Sequence, residues 1–435
     1  MTEHSARPLD LERRLAGDLA SGSGSGSGSS SESTVTSVDL RAHERPSPAK
    51  DPDDAPLVLH VVESWGGGVT SAVYDYIRSA PHFRHALLVG SRDAHLTRDA
   101  AAPSVEVFLP LPPTRRLPQA VGAVQRAYRE LRPAVVHAHS SVAGALVRLA
   151  PNVPTRAIVY TPHCFAFERR DVRRPVRSAF RMVERVLFRR AATIAACSPR
   201  EAELASGLGS GARTRVHYVP NVFRAPEPIP AQGGRHADAG TRQPSSGPLR
   251  VVGQGRLNQQ KDPRFFRDVV AAVHAVDPTV EFTWVGGDPA SEVTAMQQAG
   301  VEATGWVPRQ VVLERLQTAD VYLHSALWEG APVALLEAAA YGLAVVARDI
   351  PAMTSLDVPL RRTQPHELAE LILALRDPAR LAAARRQTAA WLRAHDPQAQ
   401  VAALGIVYLE VTSRTVLELP GRRQRRRSEA LAKSS

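Results

Sequence analysis

The chain has 435 residues, long enough for two α/β domains with flanking segments, and its 44% apolar content suffices for sizeable cores. No uninterrupted apolar run approaches a bilayer span; the best stretch, Val142 to Ala150, is cut by Arg148. The formal net charge of +11 rests on arginines that are not interleaved with the 5% of aromatic residues, so nucleic acid is not an expected partner. Anionic lipid, a phosphorylated acceptor or plain arginine usage each account for that charge.

The predicted elements start late. Residues 1–55 lack apolar periodicity, contain the alternating run Ser21–Ser31, and are expected to form a disordered tail. The first residues carry no hydrophobic segment, so no signal peptide is expected and the chain reads as cytoplasmic. Asp51-Pro-Asp-Asp54 has the outline of an Asp-x-Asp metal site, but its Pro-rich setting reads as solvated charge.

A first domain is expected over residues 56–224. From Leu57 strands alternate with helices, with strands predicted from Val135 to Ala138, Ala157 to Tyr160 and Thr193 to Ala196. Gly66, Gly67 and Gly68 separate the first strand from the first helix; they suit either a tight turn or a loop that receives an acceptor or phosphate. His137 and His139 share one strand face but lack a third ligand at metal spacing, so they read as structural. His163 follows a strand end in Tyr-Thr-Pro-His. Cys164 and Cys197 make no disulfide framework and fit a reducing compartment. Between Arg173 and Arg190, Val176, Phe180, Val183 and Leu187 form a stripe flanked by arginines. That pattern suits contact with an anionic membrane, or packing on the chain's own sheet.

Residues 225–248 are rich in Pro, Gly and Ser and read as a linker. A second domain is expected over 249–396, with strands at Glu281–Val285 and Val321–His324. A last helix over 397–418 carries Val401, Leu404, Val407, Tyr408 and Val411 at helical spacing, and a basic disordered tail follows over 419–435. Alternating strands and helices predict an α/β fold of two doubly wound, Rossmann-like domains facing across a cleft.

Two motifs in the second domain carry chemistry. Glu329 and Glu337 enclose seven residues, Gly330-Ala-Pro-Val-Ala-Leu-Leu336, in which Pro332 is predicted in the first turn of a helix. The backbone of Gly330, Ala331, Pro332 and Val333 would form an anion site at that helix N-terminus. Carboxylates beside such a site suit hydroxyl groups, and the ligand this implies is a sugar nucleotide. The second motif is Arg256-Leu-Asn-Gln-Gln-Lys261. Lysine occurs at only three positions, Lys50, Lys261 and Lys433, so Lys261 departs from the chain's own preference for arginine. A rigid guanidinium and a mobile ammonium together suit a diphosphate, although two solvated surface cations would look the same.

Arg256, Lys261, Glu329 and Glu337, in this order and setting, resemble the donor site of retaining glycosyltransferases of the GT-B fold, family 4. Gly66–Val69, His137–Gly144, Tyr160–His163, Ala196–Pro199 and Tyr218–Asn221 are similar to further motifs of that family, over roughly residues 56–415. The resemblance implies transfer of a hexosyl unit from a nucleoside diphosphate sugar to a lipid-linked glycan or polysaccharide of the cell envelope, with retained configuration. It implies no metal and no cofactor beyond the sugar nucleotide as co-substrate. It places the diphosphate on Arg256 and Lys261, the ribose on Glu337, the hexose on Glu329, the base near Val307, and His163 against the donor sugar. It implies that the first domain takes the acceptor and that the last helix returns to brace it. Two rival readings remain: a sugar-nucleotide 2-epimerase of the same fold, a class with different carboxylate and histidine placements, and a donor-binding protein without transfer, against which the complete set Arg256, Lys261, Glu329 and Glu337 argues.

Overall fold

The computed structural model describes residues 55–91, 105–209, 214–224 and 247–417. The expected N-terminal tail with Asp51–Asp54 (apart from residue 55), nearly all of the expected linker, and the basic tail over 419–435 lie outside the described residues.

The first half builds a seven-stranded sheet from β1 (Leu57–Trp65), β2 (Arg84–Ser91), β3 (Val105–Leu111), β4 (Val135–His139), β5 (Ile158–Thr161), β6 (Thr193–Ala196) and β7 (Arg215–Tyr218). Their order is β3-β2-β1-β4-β5-β6-β7, and every neighbouring pair is parallel. The second half repeats the plan with β8 (Arg250–Gln254), β9 (Glu281–Val285), β10 (Val301–Ala303), β11 (Val321–His324), β12 (Ala344–Arg348) and β13 (Leu360–Arg362), ordered β10-β9-β8-β11-β12-β13 and again all parallel. β5, β6 and β11 are buried at every position, as a sheet covered by helices on both faces requires. This is the doubly wound pair of domains that the alternating pattern predicts.

In each sheet the strand order reverses once, between β1 and β4 and between β8 and β11, and ligands bind at the carboxyl ends of strands beside such a reversal. The residues leaving those four strands are the glycines from Gly66, then Ser140, Gly255 and Ser325. Every candidate motif therefore opens at, or packs against, one of the two reversal points.

The helix Pro397–Leu417 buries Leu404, Val407, Tyr408 and Val411 in one cluster with Val58, Tyr76, Val135, Val159 and Ala195 of the first half. The stripe on the helix Arg174–Leu187 faces inward. Val176 and Phe180 join the core of the first sheet, and Leu187 is 8% exposed. Of the two readings of this stripe, packing on the protein's own sheet is the one its burial supports. Glu184 on the same face is buried and pairs with Arg148 (2.9 Å) and the Tyr160 hydroxyl (2.8 Å). The outward side carries Met182 and Val186, 51% and 64% exposed, among the exposed Arg181, Arg185 and Arg189.

Candidate active site

The second reversal point is built from ion pairs. Gly255 leaves β8 at φ +132°, and a Cβ there would lie 2.9 Å from Lys261 Cε, so the glycine makes room for the lysine stem. Lys261 Nζ then reaches Glu329 Oε1 at 2.5 Å, and Gln260 Nε2 donates to Glu329 Oε2 at 3.3 Å. Arg256 is half-buried in the same loop. His324, at the end of β11, is 2% exposed; its Nε2 stands 3.9 Å from Glu329 Oε1 and is without a hydrogen-bond partner. Burial, reinforced by the Lys261 charge, holds His324 well below the usual histidine range, so it is neutral.

The helix that follows runs Val333–Ala340, so Pro332 stands at its cap and not inside its first turn. Pro332 has an extended ψ of 116°, which keeps it out of the helix while its carbonyl accepts from Leu335 N. No side chain caps this N-terminus, which leaves its amides to a ligand. Glu337, one turn in and 3% exposed, accepts from Gln254 Nε2 (2.7 Å) and Arg309 (2.5 Å). A carboxylate has about four lone-pair sites, so two remain for hydroxyl donors. Gln254 Oε1 is buried and without a partner next to it, a second acceptor that burial leaves unsatisfied. Val307 is half-buried at the edge of the neighbouring core, beside the exposed Trp306.

The first reversal point meets this one directly. A Cβ on Gly330 would lie 2.7 Å from Cys164 N and 3.0 Å from His163 C, so only glycine permits this approach of the two halves. Asn221 bridges them as well: its Nδ2 donates to Ala331 O (2.8 Å) and its Oδ1 accepts from Tyr76 (3.3 Å). His163 and Cys164 are both in the left-handed region, φ 50° and 88°, which non-glycine residues rarely adopt. Glu201 holds them there. Its buried carboxylate accepts from Cys164 N and Cys197 N, both at 2.7 Å. Burial of Glu201 raises its pKa, against those two bonds, which lower it. Gly66 caps the helix Gly67–Ser79, whose N-terminus also lacks a side-chain cap, and Gly67 and Gly68 face open space.

His137 and His139 belong to a larger buried set with His60 and His85. His60, His137 and His139 approach one another closely enough to suggest a metal site, but each ring nitrogen already has a partner. His137 bonds Tyr408 Oη and Thr161 Oγ1, both at 2.8 Å; His60 bonds His139 and His85, both at 3.0 Å; His139 also bonds His163 at 3.1 Å. The geometry is that of a hydrogen-bonded network. Burial drives His60, His137 and His139 well below the usual range and His163 down to about 4, so all are neutral.

The structure thus gathers His163, Gly330–Val333, Lys261, Arg256, Glu329 and Glu337 along one seam. It adds Gln254, Arg309, His324 and Glu201, which the sequence motifs alone do not single out, and it sets Asn221, the end of the Tyr218–Asn221 motif, across the seam. Gln254 does carry a signal, a polar residue ending an apolar strand before glycine; Arg309 carries none, because it arrives at the start of a separate helix, Arg309–Thr318.

Known proteins agree with this architecture. Residues 67–222 match the family model described as "Glycosyl transferase 4-like domain", and residues 248–389 match "Glycosyl transferases group 1". Both halves thus match glycosyltransferase domain models, and together they form a GT-B fold. Among solved structures, the sucrose-phosphate synthase of Thermosynechococcus elongatus superposes with a TM-score of 0.64 at 17% identity, covering 82% of this chain and 100% of that one. The Anabaena protein HepE, solved with UDP and glucose, superposes with a TM-score of 0.60 at 18% identity over 82% and 100%. Among curated proteins, an uncharacterized 41.2 kDa protein in the cps region of Klebsiella pneumoniae is 24% identical over 221 residues, 50% of this chain and 60% of that protein. The UDP-Gal:alpha-D-GlcNAc-diphosphoundecaprenol alpha-1,3-galactosyltransferase of Escherichia coli is 26% identical over 230 residues, 50% and 58%. The aligned part thus spans about three fifths of these curated relatives' lengths. Among the described residues, no helix is long and apolar enough to cross a membrane.

Proposed function

We propose that the protein is a metal-independent, retaining hexosyltransferase that moves a sugar from a nucleoside diphosphate, UDP in the first instance, to a lipid-linked or polysaccharide acceptor. The observation that carries this reading is the Lys261–Glu329 pair beside an uncapped helix N-terminus, pressed against the His163 loop of the other domain. In transfer, the anomeric C–O bond breaks and its electron pair leaves with the diphosphate. The acceptor oxygen bonds to the anomeric carbon and passes its proton to the departing diphosphate oxygen. Lys261, Arg256 and the amides at Ala331 and Val333 meet the growing negative charge on the diphosphate, a type of contact worth about 3–4 kcal/mol per donor removed. Two cations and a helix terminus supply that stabilisation from the protein itself, so no metal or further cofactor is invoked.

Glu337 and Gln254 then offer acceptors to the ribose hydroxyls, and the backbone at Val307 reads the base. Glu329 receives a hexose hydroxyl while fixing Lys261. His163 faces the sugar from the first domain, and Gly66, Gly67 and Gly68 receive the acceptor. A lipid-linked acceptor is supported by the Escherichia coli relative, whose name specifies a diphosphoundecaprenol substrate. It would bring the enzyme to the inner face of a membrane from the cytoplasm, with the exposed arginines, Met182 and Val186 of Arg174–Leu187 as the contact surface. The test is a thermal-shift screen of UDP-, GDP- and ADP-sugars followed by transfer assays with the donor that stabilises most. Stabilisation by a sugar nucleotide with retained configuration in the product is expected; stabilisation by none of them would overturn the reading.

A further inference from the structure

One buried feature lies outside the chemistry described so far. From His163 a single file of histidines runs away from the seam into the first domain. His163 Nε2 meets His139 Nδ1 at 3.1 Å, His139 Nε2 meets His60 Nδ1 at 3.0 Å, and His60 Nε2 meets His85 Nδ1 at 3.0 Å. The file ends where His85 Nε2 meets the Ala80 carbonyl at 3.0 Å. His60, His85 and His139 are fully buried, on the neighbouring parallel strands β1, β2 and β4.

The far end fixes the direction of every bond. A carbonyl oxygen only accepts, so His85 must carry its proton on Nε2. A neutral imidazole has one donor and one acceptor, so His85 Nδ1 accepts and His60 donates from Nε2. The same step repeats at His60 and at His139, and it ends with His163 donating from Nε2. Burial keeps His60, His85, His139 and His163 neutral, which the alternation needs; a proton added at His60 or His139 would set two donors against each other. His163 Nδ1 is then a lone pair, and among the described residues it has no hydrogen-bond partner.

We propose that His139, His60 and His85 are positioning residues that lock His163 into the Nε2–H tautomer, leaving Nδ1 as an acceptor for a hydroxyl of the sugar nucleotide. The identity of that hydroxyl's owner rests on the proposed function; the tautomer does not. Packing supports the same rigidity. Tyr76 stacks on His163 with centroids 6.0 Å apart, and His137 lies against His139 at 4.1 Å while its own nitrogens are held by Tyr408 and Thr161.

The experiment is a long-range proton–nitrogen spectrum of the full-length protein labelled on histidine nitrogen, assigned by single His→Gln variants, at pH 7.5. All four histidines are expected as neutral Nε2–H forms. His163 observed as Nδ1–H or as imidazolium would overturn the proposal. His60→Leu removes the link without touching the seam. It should mix the His163 tautomers and lower kcat about tenfold at unchanged nucleotide affinity. His60→Gln keeps one acceptor and one donor and should restore most of both. A folded His60→Leu protein with an unaltered His163 signal would also overturn it, and if that variant does not fold, the wild-type and His60→Gln spectra decide. Wild type that transfers no sugar from any donor would refute the proposed function instead, while the spectrum still decides the tautomer.

Discussion

The two halves share one strand order and place their loops at equivalent reversal points, yet they furnish them with opposite chemistry. The first is lined by uncharged, mutually bonded histidines and a loop in a strained conformation. The second is lined by Lys261–Glu329 and Arg309–Glu337, charges held against each other at 2.5 Å. The scaffold therefore specifies where a ligand sits, and the side chains specify what each wall does: one wall orients, the other balances charge.

The largest effect expected from this contrast is on acid stability. His163 has its pKa depressed from 6.5 to about 4 by burial. Its contribution is present above the unfolded value and lost as pH falls toward 4, and at 1.36 kcal/mol per unit it amounts to about 3 kcal/mol. His60, His85, His137 and His139 shift the same way, whereas Asp75, raised to about 6 by burial, acts in the opposite sense. The histidines outnumber it, so Tm should fall steadily from pH 7.5 to 5, with amide exchange rising first in β1, β2 and β4. A flat Tm profile would show that the histidine wall is not neutral.

Next in size is the charged wall. Lys261→Ala should lower transfer about a hundredfold, because the diphosphate loses a cation and Glu329 is left buried without its partner. Arg256→Ala should cost at least about tenfold. Wild-type turnover in both folded variants would break the assignment. Gly330→Ala tests the seam where the walls meet. Its Cβ falls 2.7 Å from Cys164 N, so transfer should drop about tenfold or more while nucleoside diphosphate affinity holds. Equal loss of both by calorimetry would place the effect in folding.

A smaller contrast divides the glutamates. Glu337→Ala should weaken nucleoside diphosphate binding by roughly 1.5–3 kcal/mol, and Glu329→Ala should leave it nearly intact while slowing transfer. Matching losses in the two titrations would exchange or merge their roles. The smallest effect is expected from excess chelator, which should leave transfer unchanged; activity abolished by chelator and restored by magnesium or manganese would contradict metal independence.

Much of the fold was legible because apolar runs of four or five residues bounded by turns are too short for helices and suit buried strands. Thr193–Ala196, Glu281–Val285 and Val321–His324 fall where the apolar runs predict them. Two edge strands were not legible: β3 is half-exposed and contains Pro110, and β13 is three residues with two arginines. At the site, Glu329, Glu337 and Lys261 stood out as charges in apolar or arginine-rich surroundings. His60 gave a weaker signal, a lone polar residue in Leu-Val-Leu-His-Val-Val. Its partner His85 lies on another strand, and single-sequence reading has no access to such cross-strand neighbours. Arg309 reaches Glu337 from a distant part of its own half, and Asn221 bonds Ala331 only once the halves have met.

The return of Pro397–Leu417 has a consequence for how the molecule is made. Leu404, Val407, Tyr408 and Val411 complete a core begun by Val58, and Tyr408 also holds His137. A ribosome delivers those residues after the whole second domain. The first domain therefore lacks its full cover over Val58, Val135 and Val159 until the second domain has been made. Its final packing thus waits on the synthesis of the domain that follows it, against the usual N-to-C order of domain maturation.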